Sequence, residues 1–398
     1  MREMKVPFRP GRVLDAFRQT QSEVRTALET SAAQWMRVGA MLENACMLPP
    51  DQREMHLRSA MDSVRAALGA EQWAEGHHVD PMRPASESSL VGRFRTYCEI
   101  VEDAGALALS DAMLDAYVHA DPTVDAVECG RVEAVRARLA WKAGDLEAAT
   151  ERYRRVAAAG RRERSDELTV RALIGQAIVA RVSGNYPRVR ERAQKAVALA
   201  ERRQMRRLAA GAHQILTVAF AVARDFDVAV SHGWRSYEHS IGDPTMESEA
   251  LAIIGQLFLD IGHPTPAAAA FRAVISRSPS DRLLLPSLGG LALAGARMGS
   301  WETVMRAQEI VTARAAAGAT PYNVASTALD LARAWAELQV SQRAEEARGT
   351  ALAIAVEHRF HEIAHHAEAL EITEAPARLP LSTDAEEVAD AVLHLVGA

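Results

Sequence analysis

A turn residue that recurs about every 39 positions constrains the fold of this chain more than any other feature. Successive turns are separated by 39, 40, 40, 38, 37 and 40 residues, and each turn lies between two runs with apolar residues at helical spacing. The turn residues are Gly105, Gly144, Gly184, Arg224, Gly262, Gly299 and Gln339. Self-similarity with a period of roughly 20–50 residues is typical of solenoid proteins, in which each unit is one supersecondary structure.

Small residues in register with the turns predict closely packed helix pairs. Seven residues before the turn, every repeat has a small residue: Cys98, Ala137, Ala177, Thr217, Gly255, Ala292 and Ala332. Five and twelve residues after the turn, most repeats have Ala, Val or Ser, and a large residue often stands two positions after it. We expect helix A, before the turn, to approach helix B, after it, with the large residue wedged between them. Aromatic residues make up only 5% of the chain and alanine is abundant, which favours helices.

The best repeats resemble those of the tetratricopeptide repeat (TPR) family. The matching segments are Gly144-Asp145-Leu146 with Ala149, and Gly184-Asn185-Tyr186 with Ala196. The likeness covers roughly residues 88–375. The period exceeds the ~34 residues of the standard repeat, so we expect longer helices. The resemblance implies an all-α protein, a right-handed superhelix of stacked antiparallel helix pairs (a TPR-like α-solenoid), which binds proteins or peptides on its concave face.

Proline-rich breaks divide the chain into four parts. Residues 1–75 have helical periodicity and predict an N-terminal helical bundle, and residues 76–89, rich in Pro, Ser and Gly, predict a linker. Residues 90–375 hold an array of about seven helical hairpins, and residues 376–398 a C-terminal capping helix that opens with a capping-box pattern at Thr383. A bundle followed by about seven long repeats is similar in architecture to the Rap-type peptide-sensing regulators.

Charge and position together indicate candidate binding residues. Residues 131–210 contain 20 Lys and Arg against 9 Asp and Glu, in a chain with a net charge of −6. At the helix A positions that face the groove in similar repeats, this chain has Arg131, Arg138, Trp141, Lys142, Arg171, Arg181, Gln214 and Gln256. The resemblance therefore implies a basic concave groove, which suits a protein or peptide partner with acidic groups. An arginine-rich, solvated surface would have the same composition.

Two other functional classes are open from the sequence. His361-Glu362-Ile363-Ala364-His365 fits the H-E-x-x-H pattern of zinc hydrolases, in which two histidines one helical turn apart bind zinc. The charged Arg359 before it, and the lack of a strand pattern to hold a peptide substrate, argue against that interpretation. The Arg-rich segment 131–210 is also a candidate nucleic-acid surface, but few aromatic residues accompany its arginines.

No other motif indicates catalysis, a metal site or a cofactor, so we expect a non-enzymatic protein that uses none. The N-terminal residues show no signal-peptide pattern, and no apolar run approaches the ~18 residues of a membrane span. We therefore expect a cytoplasmic location and no membrane partner. The sequence leaves the oligomeric state open.

Overall fold

The computed structural model describes fifteen helices in two compact units. It describes residues 107–120, 124–277, 280–358, 360–370 and 378–397, and no residue in these ranges lies in a β-strand. The first unit comprises residues 1–205. Its described helices are α1 (Leu107–Ala120), α2 (Ala126–Lys142), α3 (Leu146–Arg162), α4 (Asp166–Val182) and α5 (Tyr186–Arg202). The predicted all-α class is confirmed.

The second unit comprises residues 206–398 and ten described helices. They are α6 (Arg206–Val222), α7 (Phe226–Ser240), α8 (Pro244–Asp260), α9 (Pro264–Ser276), α10 (Asp281–Arg297), α11 (Trp301–Ala316), α12 (Pro321–Glu337), α13 (Ser341–Glu357), α14 (His361–Glu368) and α15 (Thr383–Gly397). The A helices, which precede the repeat turns, are α2, α4, α6, α8, α10 and α12; α14 begins a further repeat. The B helices are α3, α5, α7, α9, α11 and α13.

Successive helices form stacked pairs within each unit. In the first unit, α2 contacts α3, α3 contacts α4, and α2 also contacts α4. In the second unit, each A helix contacts its own B helix and the next A helix. Because turns of three or four residues join successive helices from α2 to α14, neighbours in a pair run antiparallel. Every A helix from α2 to α12 has 17 residues, so the prediction of longer helices is confirmed.

The repeat turns end each A helix with a residue in the left-handed conformation. Gly144, for example, has a φ of 84°. Its amide donates to the carbonyl of Trp141 at 3.0 Å, and the amide of Asp145 donates to the carbonyl of Ala140 at 2.9 Å, which is the Schellman arrangement. The Asp145 carboxylate then caps the next helix by accepting from the amide of Ala148 at 2.9 Å. The predicted turn spacing thus reflects one repeated backbone geometry.

Two of the repeat turns have a residue other than glycine in this left-handed conformation. Arg224 and Gln339 both have a φ of 60°, where a residue with a Cβ loses roughly 1–2 kcal/mol. Because Arg224 is exposed, we expect Arg224→Gly to raise the free energy of unfolding by about 1 kcal/mol, measured by urea unfolding of the full chain. The reverse change, Gly184→Ala, should lower it. A loss of stability in Arg224→Gly would contradict the assigned turn geometry.

Small residues on the A helices make room for side chains of the B helices. The residue seven before the turn is buried in every described repeat: Ala137, Ala177, Thr217, Gly255, Ala292 and Ala332. Gly255, together with Gly290, shows how close the approach is. Phe271 of α9 lies against both Gly255 of α8 and Gly290 of α10, and a Cβ at Gly255 would come within 2.9 Å of its ring. Glycine at these positions therefore allows one aromatic ring to contact two A helices.

The large residue after each turn is the first residue of helix B, not a buried wedge. Leu146, Tyr186 and Phe226 begin α3, α5 and α7 and are only partly buried. Trp301, at the start of α11, is 48% exposed. On one side these residues still pack on neighbouring helices, as Phe226 does at the apolar core and Trp301 does at Trp335.

The C-terminal helix α15 packs against α7 and α9. The chain before it is fixed to the turn after α8, because the amide of Leu379 donates to the Ile261 carbonyl at 3.0 Å. The ring of His263 lies 2.7 Å from the Leu379 carbonyl oxygen. The buried residues of α15 are Ala385, Val388, Ala389 and Val392, which join the apolar cluster around α7, α8 and α9. The helix that the sequence predicts as a cap thus covers two B helices of this unit.

Several sequence predictions fall outside the described residues. They are the N-terminal bundle 1–75, the linker 76–89, and helix A and the turn of the Gly105 repeat, whose helix B is α1. Among the helices that are described, none is both long enough and apolar enough to cross a membrane.

Candidate binding face on the A helices

The six candidate residues of the first unit lie on two A helices that contact each other. They are Arg131, Arg138, Trp141 and Lys142 on α2, and Arg171 and Arg181 on α4. The repeat relates them in pairs: Arg131 and Arg171 are each thirteen residues before a turn, and Trp141 and Arg181 are each three before one. We call these six residues the A-helix face.

Arg131 and Arg171 are joined through Glu167, a residue that the sequence analysis did not single out. The Nε and Nη2 atoms of Arg131 donate to the Glu167 carboxylate at 2.6–3.1 Å, and the Nε of Arg171 donates to it at 2.9 Å. Burial alone would raise the pKa of Glu167, but the two arginines outweigh it and lower the pKa to about 2. Glu128 also accepts from Arg131, at 3.0 Å. These two arginines are therefore largely neutralised within the protein.

Trp141 and Arg181 each carry an N–H group with no hydrogen-bond partner among the described residues. The Nε1 of Trp141 and the Nε of Arg181 are buried, and neither has a hydrogen-bond partner within the part of the chain that the structure describes. Leaving such a donor unsatisfied costs about 1–3 kcal/mol. Arg138 and Lys142, by contrast, each interact with other residues of the protein. The two donors, at equivalent positions of α2 and α4, are thus the groups of the A-helix face whose hydrogen-bonding capacity is unused among the described residues.

The two candidate residues of the second unit differ from each other. Gln214 on α6 is partly buried, and its Nε2 has no hydrogen-bond partner among the described residues. Gln256 on α8 is exposed and donates to the Asp260 carboxylate at 2.8 Å. Burial raises the pKa of Asp260, although this hydrogen bond opposes the rise. Gln256 is therefore already engaged within its own helix.

A row of charges that the sequence analysis missed runs across the A helices of the second unit. The Nε of Arg297 on α10 lies 3.2 and 3.3 Å from the carboxylate oxygens of Glu337 on α12, and its Nη1 donates to the Leu259 carbonyl of α8 at 2.8 Å. Burial raises the pKa of Glu337 despite this pair. Asp260, Arg297 and Glu337 all stand two residues before a turn, so comparing charges at that repeat position would have found them.

Much of the positive charge in segment 131–210 is paired internally. Buried Arg136 contacts Asp111 at 2.7 Å and Asp115 at 2.5 Å. Glu133 contacts Arg152 at 3.0 Å and Arg155 at 3.3 Å. Exposed residues of the segment form further pairs, such as Lys195 with Glu191 and Arg203 with Asp166. The net charge of the segment therefore overstates its positive surface, and the nucleic-acid alternative gains no support.

The H-E-x-x-H segment forms the short helix α14. His361, Glu362 and His365 are exposed, and Ile363 is buried against α12 and α13. A zinc site needs at least a third protein ligand. Within the residues that the structure describes, no third His, Cys, Asp or Glu converges with His361 and His365. The zinc-hydrolase alternative therefore gains no support either.

Comparisons with known proteins agree with the helix pairing. No protein-family model matches the sequence, and no curated protein matches it significantly. In three dimensions the chain is similar to a STAND (signal transduction ATPase with numerous domains) protein with a tetratricopeptide repeat sensor from Pyrococcus horikoshii. The TM-score is 0.50 at 11% identity, over 85% of this chain and 55% of that one. This chain thus spans about half the length of that protein.

A second solved structure is similar at a lower level. It is a Rap protein in complex with competence and sporulation factor, with a TM-score of 0.47 and 12% identity, over 90% of this chain and 99% of that one. The helix pairs, their turns and the STAND structure together show that this chain has a TPR-like repeat fold. The resemblance to the TPR family in sequence is thereby confirmed for the fold.

Proposed function

We propose that this chain is a non-catalytic TPR-like scaffold that binds a protein or peptide on the A-helix face of its first unit. The observation that carries the proposal is the pair of buried N–H groups on Trp141 and Arg181, which have no acceptor among the described residues. Buried donors in native proteins are almost always satisfied. Because both side chains are themselves only partly buried, a rotation of each on binding would present its N–H to an oxygen acceptor of a bound chain.

The spacing of these donors suits an extended peptide. Equivalent positions on contacting helices are separated by about 8–10 Å, and an extended chain advances about 3.3 Å per residue. A segment that crosses α2 and α4 would thus place acceptors about three residues apart on Trp141 and Arg181. A carboxylate suits Arg181, because a guanidinium makes its strongest hydrogen bonds with charged acceptors. The preferred partner is therefore a peptide segment with an acidic residue.

Peptide selection on the full-length chain tests this function. A phage-displayed random dodecapeptide library is selected on the immobilised protein, and the enriched peptides are synthesised with fluorescein for anisotropy titrations. We expect enriched peptides to contain Asp or Glu. We expect Arg181→Gln to weaken their binding about tenfold or more, because a hydrogen bond to a charged group contributes about 1.5–3 kcal/mol. Trp141→Phe should weaken binding by a smaller factor.

Arg188→Gln is the matched control, since Arg188 is an exposed arginine on the B helix α5. It removes the same charge from the same unit and should leave the affinity within about twofold. Equal losses in Arg181→Gln and Arg188→Gln would indicate a bulk charge effect and contradict a site on the A-helix face. Failure to enrich any peptide that binds the soluble protein would contradict the proposed function itself.

A further inference from the structure

Arg343 is held between two tryptophans in the second unit. Its guanidinium carbon lies 5.3 Å from the ring centroid of Trp301 and 5.0 Å from that of Trp335. The two rings meet edge to face at 5.7 Å. Trp335 is fully buried, and its Nε1 donates to Oε1 of Gln308 at 2.6 Å. Two tryptophans, one from α11 and one from α12, thus hold the guanidinium of an α13 residue.

Arg343 differs from nearby arginines because it lacks a carboxylate. Among the residues that the structure describes, its hydrogen-bonding partner is the sulfur of Met305, which is a weak acceptor. By comparison, Arg297 is paired with Glu337, Arg333 with Asp330 and Arg348 with Glu345. A guanidinium has five N–H donors in a planar fork, so most donors of Arg343 are available to a ligand.

The acidic groups closest to Arg343 along its own helix are engaged elsewhere. Glu345 accepts from Arg348, and Glu346 accepts from Gln342 at 3.0 Å. The residue before α13, Val340, has a side chain that cannot cap the first turn. The first amides of α13, which have no acceptor within the helix, therefore add positive potential near this end of the helix. Both features favour an external anion at this position.

An exposed aromatic ring lies next to Arg343. Trp301 is 48% exposed, although it contacts both Arg343 and Trp335. Large exposed apolar side chains beside a fixed cation are typical of protein-binding surfaces, where aromatic residues and arginine are enriched.

We propose that Arg343 and Trp301 form a second docking site, which takes an acidic peptide segment of a partner protein. An Asp or Glu carboxylate forms a bidentate pair with the free edge of the Arg343 guanidinium, and an apolar residue beside it packs on the Trp301 ring. The site is built from B helices and lies in a different unit from the A-helix face. It goes beyond the function proposed above and does not depend on it.

The test uses full-length protein labelled with 15N-tryptophan, in which the variant Trp301→Phe assigns the indole N–H signal of Trp301. The probes are acetyl-Leu-Glu-Leu-amide and its neutral match acetyl-Leu-Gln-Leu-amide, titrated at constant ionic strength. We expect a saturable shift of the Trp301 signal with the Glu peptide, and binding at least about tenfold weaker with the Gln peptide. Equal responses to both peptides would overturn the proposal.

Variants of the arginine separate a ligand site from a structural contact. Arg343→Gln should abolish the preference for the Glu peptide, and Arg343→Lys should retain part of it, because lysine keeps the charge but not the fork. Arg348→Gln removes an arginine of the same helix that is already paired and should change nothing. Unchanged Glu-peptide binding in a folded Arg343→Gln variant would also overturn the proposal. Should that variant not fold, the comparison of the two peptides on the wild-type protein still decides.

Discussion

Gly175→Ala is expected to lower the free energy of unfolding by about 3 kcal/mol. Gly175 of α4 faces the ring of Tyr153 of α3, and a Cβ added there would overlap three atoms of that ring. Tyr153 is only 4% exposed, so it cannot swing into solvent. The overlap must be relieved by moving α3 away from α4. The gain in helix propensity from glycine to alanine, about 1 kcal/mol, offsets only part of this cost.

Gly349→Ala provides the matched control for that substitution. Gly349 is also inside a helix, α13, but a Cβ there would meet nothing within 4 Å. The same chemical change should therefore stabilise the protein by about 0.5–1 kcal/mol. Urea unfolding of the full chain, followed by circular dichroism, compares the two variants. If Gly175→Ala were as stable as Gly349→Ala, that result would contradict the close contact between the Tyr153 ring and Gly175.

A second substitution tests whether the Tyr153 ring causes the loss of stability expected in Gly175→Ala. Tyr153→Leu shortens the side chain and should cost stability in the wild-type background by leaving a cavity. Combined with Gly175→Ala, it should cost less than the sum of the two single changes, because the overlap is removed. Additive losses would contradict a direct contact between the two positions.

The repeat turns and the small buried residues could be predicted because each depends on one type of residue at a fixed distance along the chain. A left-handed turn needs a residue that tolerates positive φ, and Gly144 or Gly184 signals it directly. The close approach at Gly175 could not be predicted in the same way. It depends on which ring of α3 faces α4, and the repeat pattern identified the neighbouring position, Ala177. The same pair of positions, nine residues before a turn and nine after the preceding turn, recurs among the described repeats only at Gly290 and Phe271, so it is not part of the repeat consensus.

The partners of charged residues were harder to predict from the sequence than the positions of buried small residues. The basic segment 131–210 predicted a positive groove, but the carboxylates that pair with its Arg136 are Asp111 and Asp115 of α1, outside that segment. A count of charge along the chain cannot anticipate partners from another helix. The cluster of Arg343, Trp301 and Trp335 was missed for the same reason, because its three side chains come from three different helices. Superposing the repeats by their turns places all three within four residues of a turn, so a structure-aware alignment would have found this cluster.

Loss of Arg136 is expected to destabilise the first unit about as strongly as overlap at Gly175. Arg136 is 7% exposed and hydrogen-bonds Asp111 and Asp115, with Glu133 3.9 Å away. Arg136→Met preserves much of the side-chain volume but removes a buried cation from all three carboxylates, of which Asp111 and Glu133 keep contact with Arg152. Removing one partner of a buried ion pair costs about 3–5 kcal/mol, because the remaining charge stays desolvated. Arg154→Met, which removes an exposed arginine paired with Glu151, should cause no measurable loss.

The pH dependence of the Arg136→Met deficit distinguishes lost charge from lost packing. Burial already raises the pKa of Glu133 above its ordinary value of 4.5, and Arg152 and Arg136 oppose that rise. Without Arg136 the pKa of Glu133 rises further, so over the pH range above 4.5 the folded state binds more protons than the unfolded state. Stability then falls as pH increases through that range. The deficit should therefore be largest near pH 7 and shrink towards pH 4 in paired urea titrations with wild type. A deficit that stays constant with pH would show that Arg136 contributes mainly through packing.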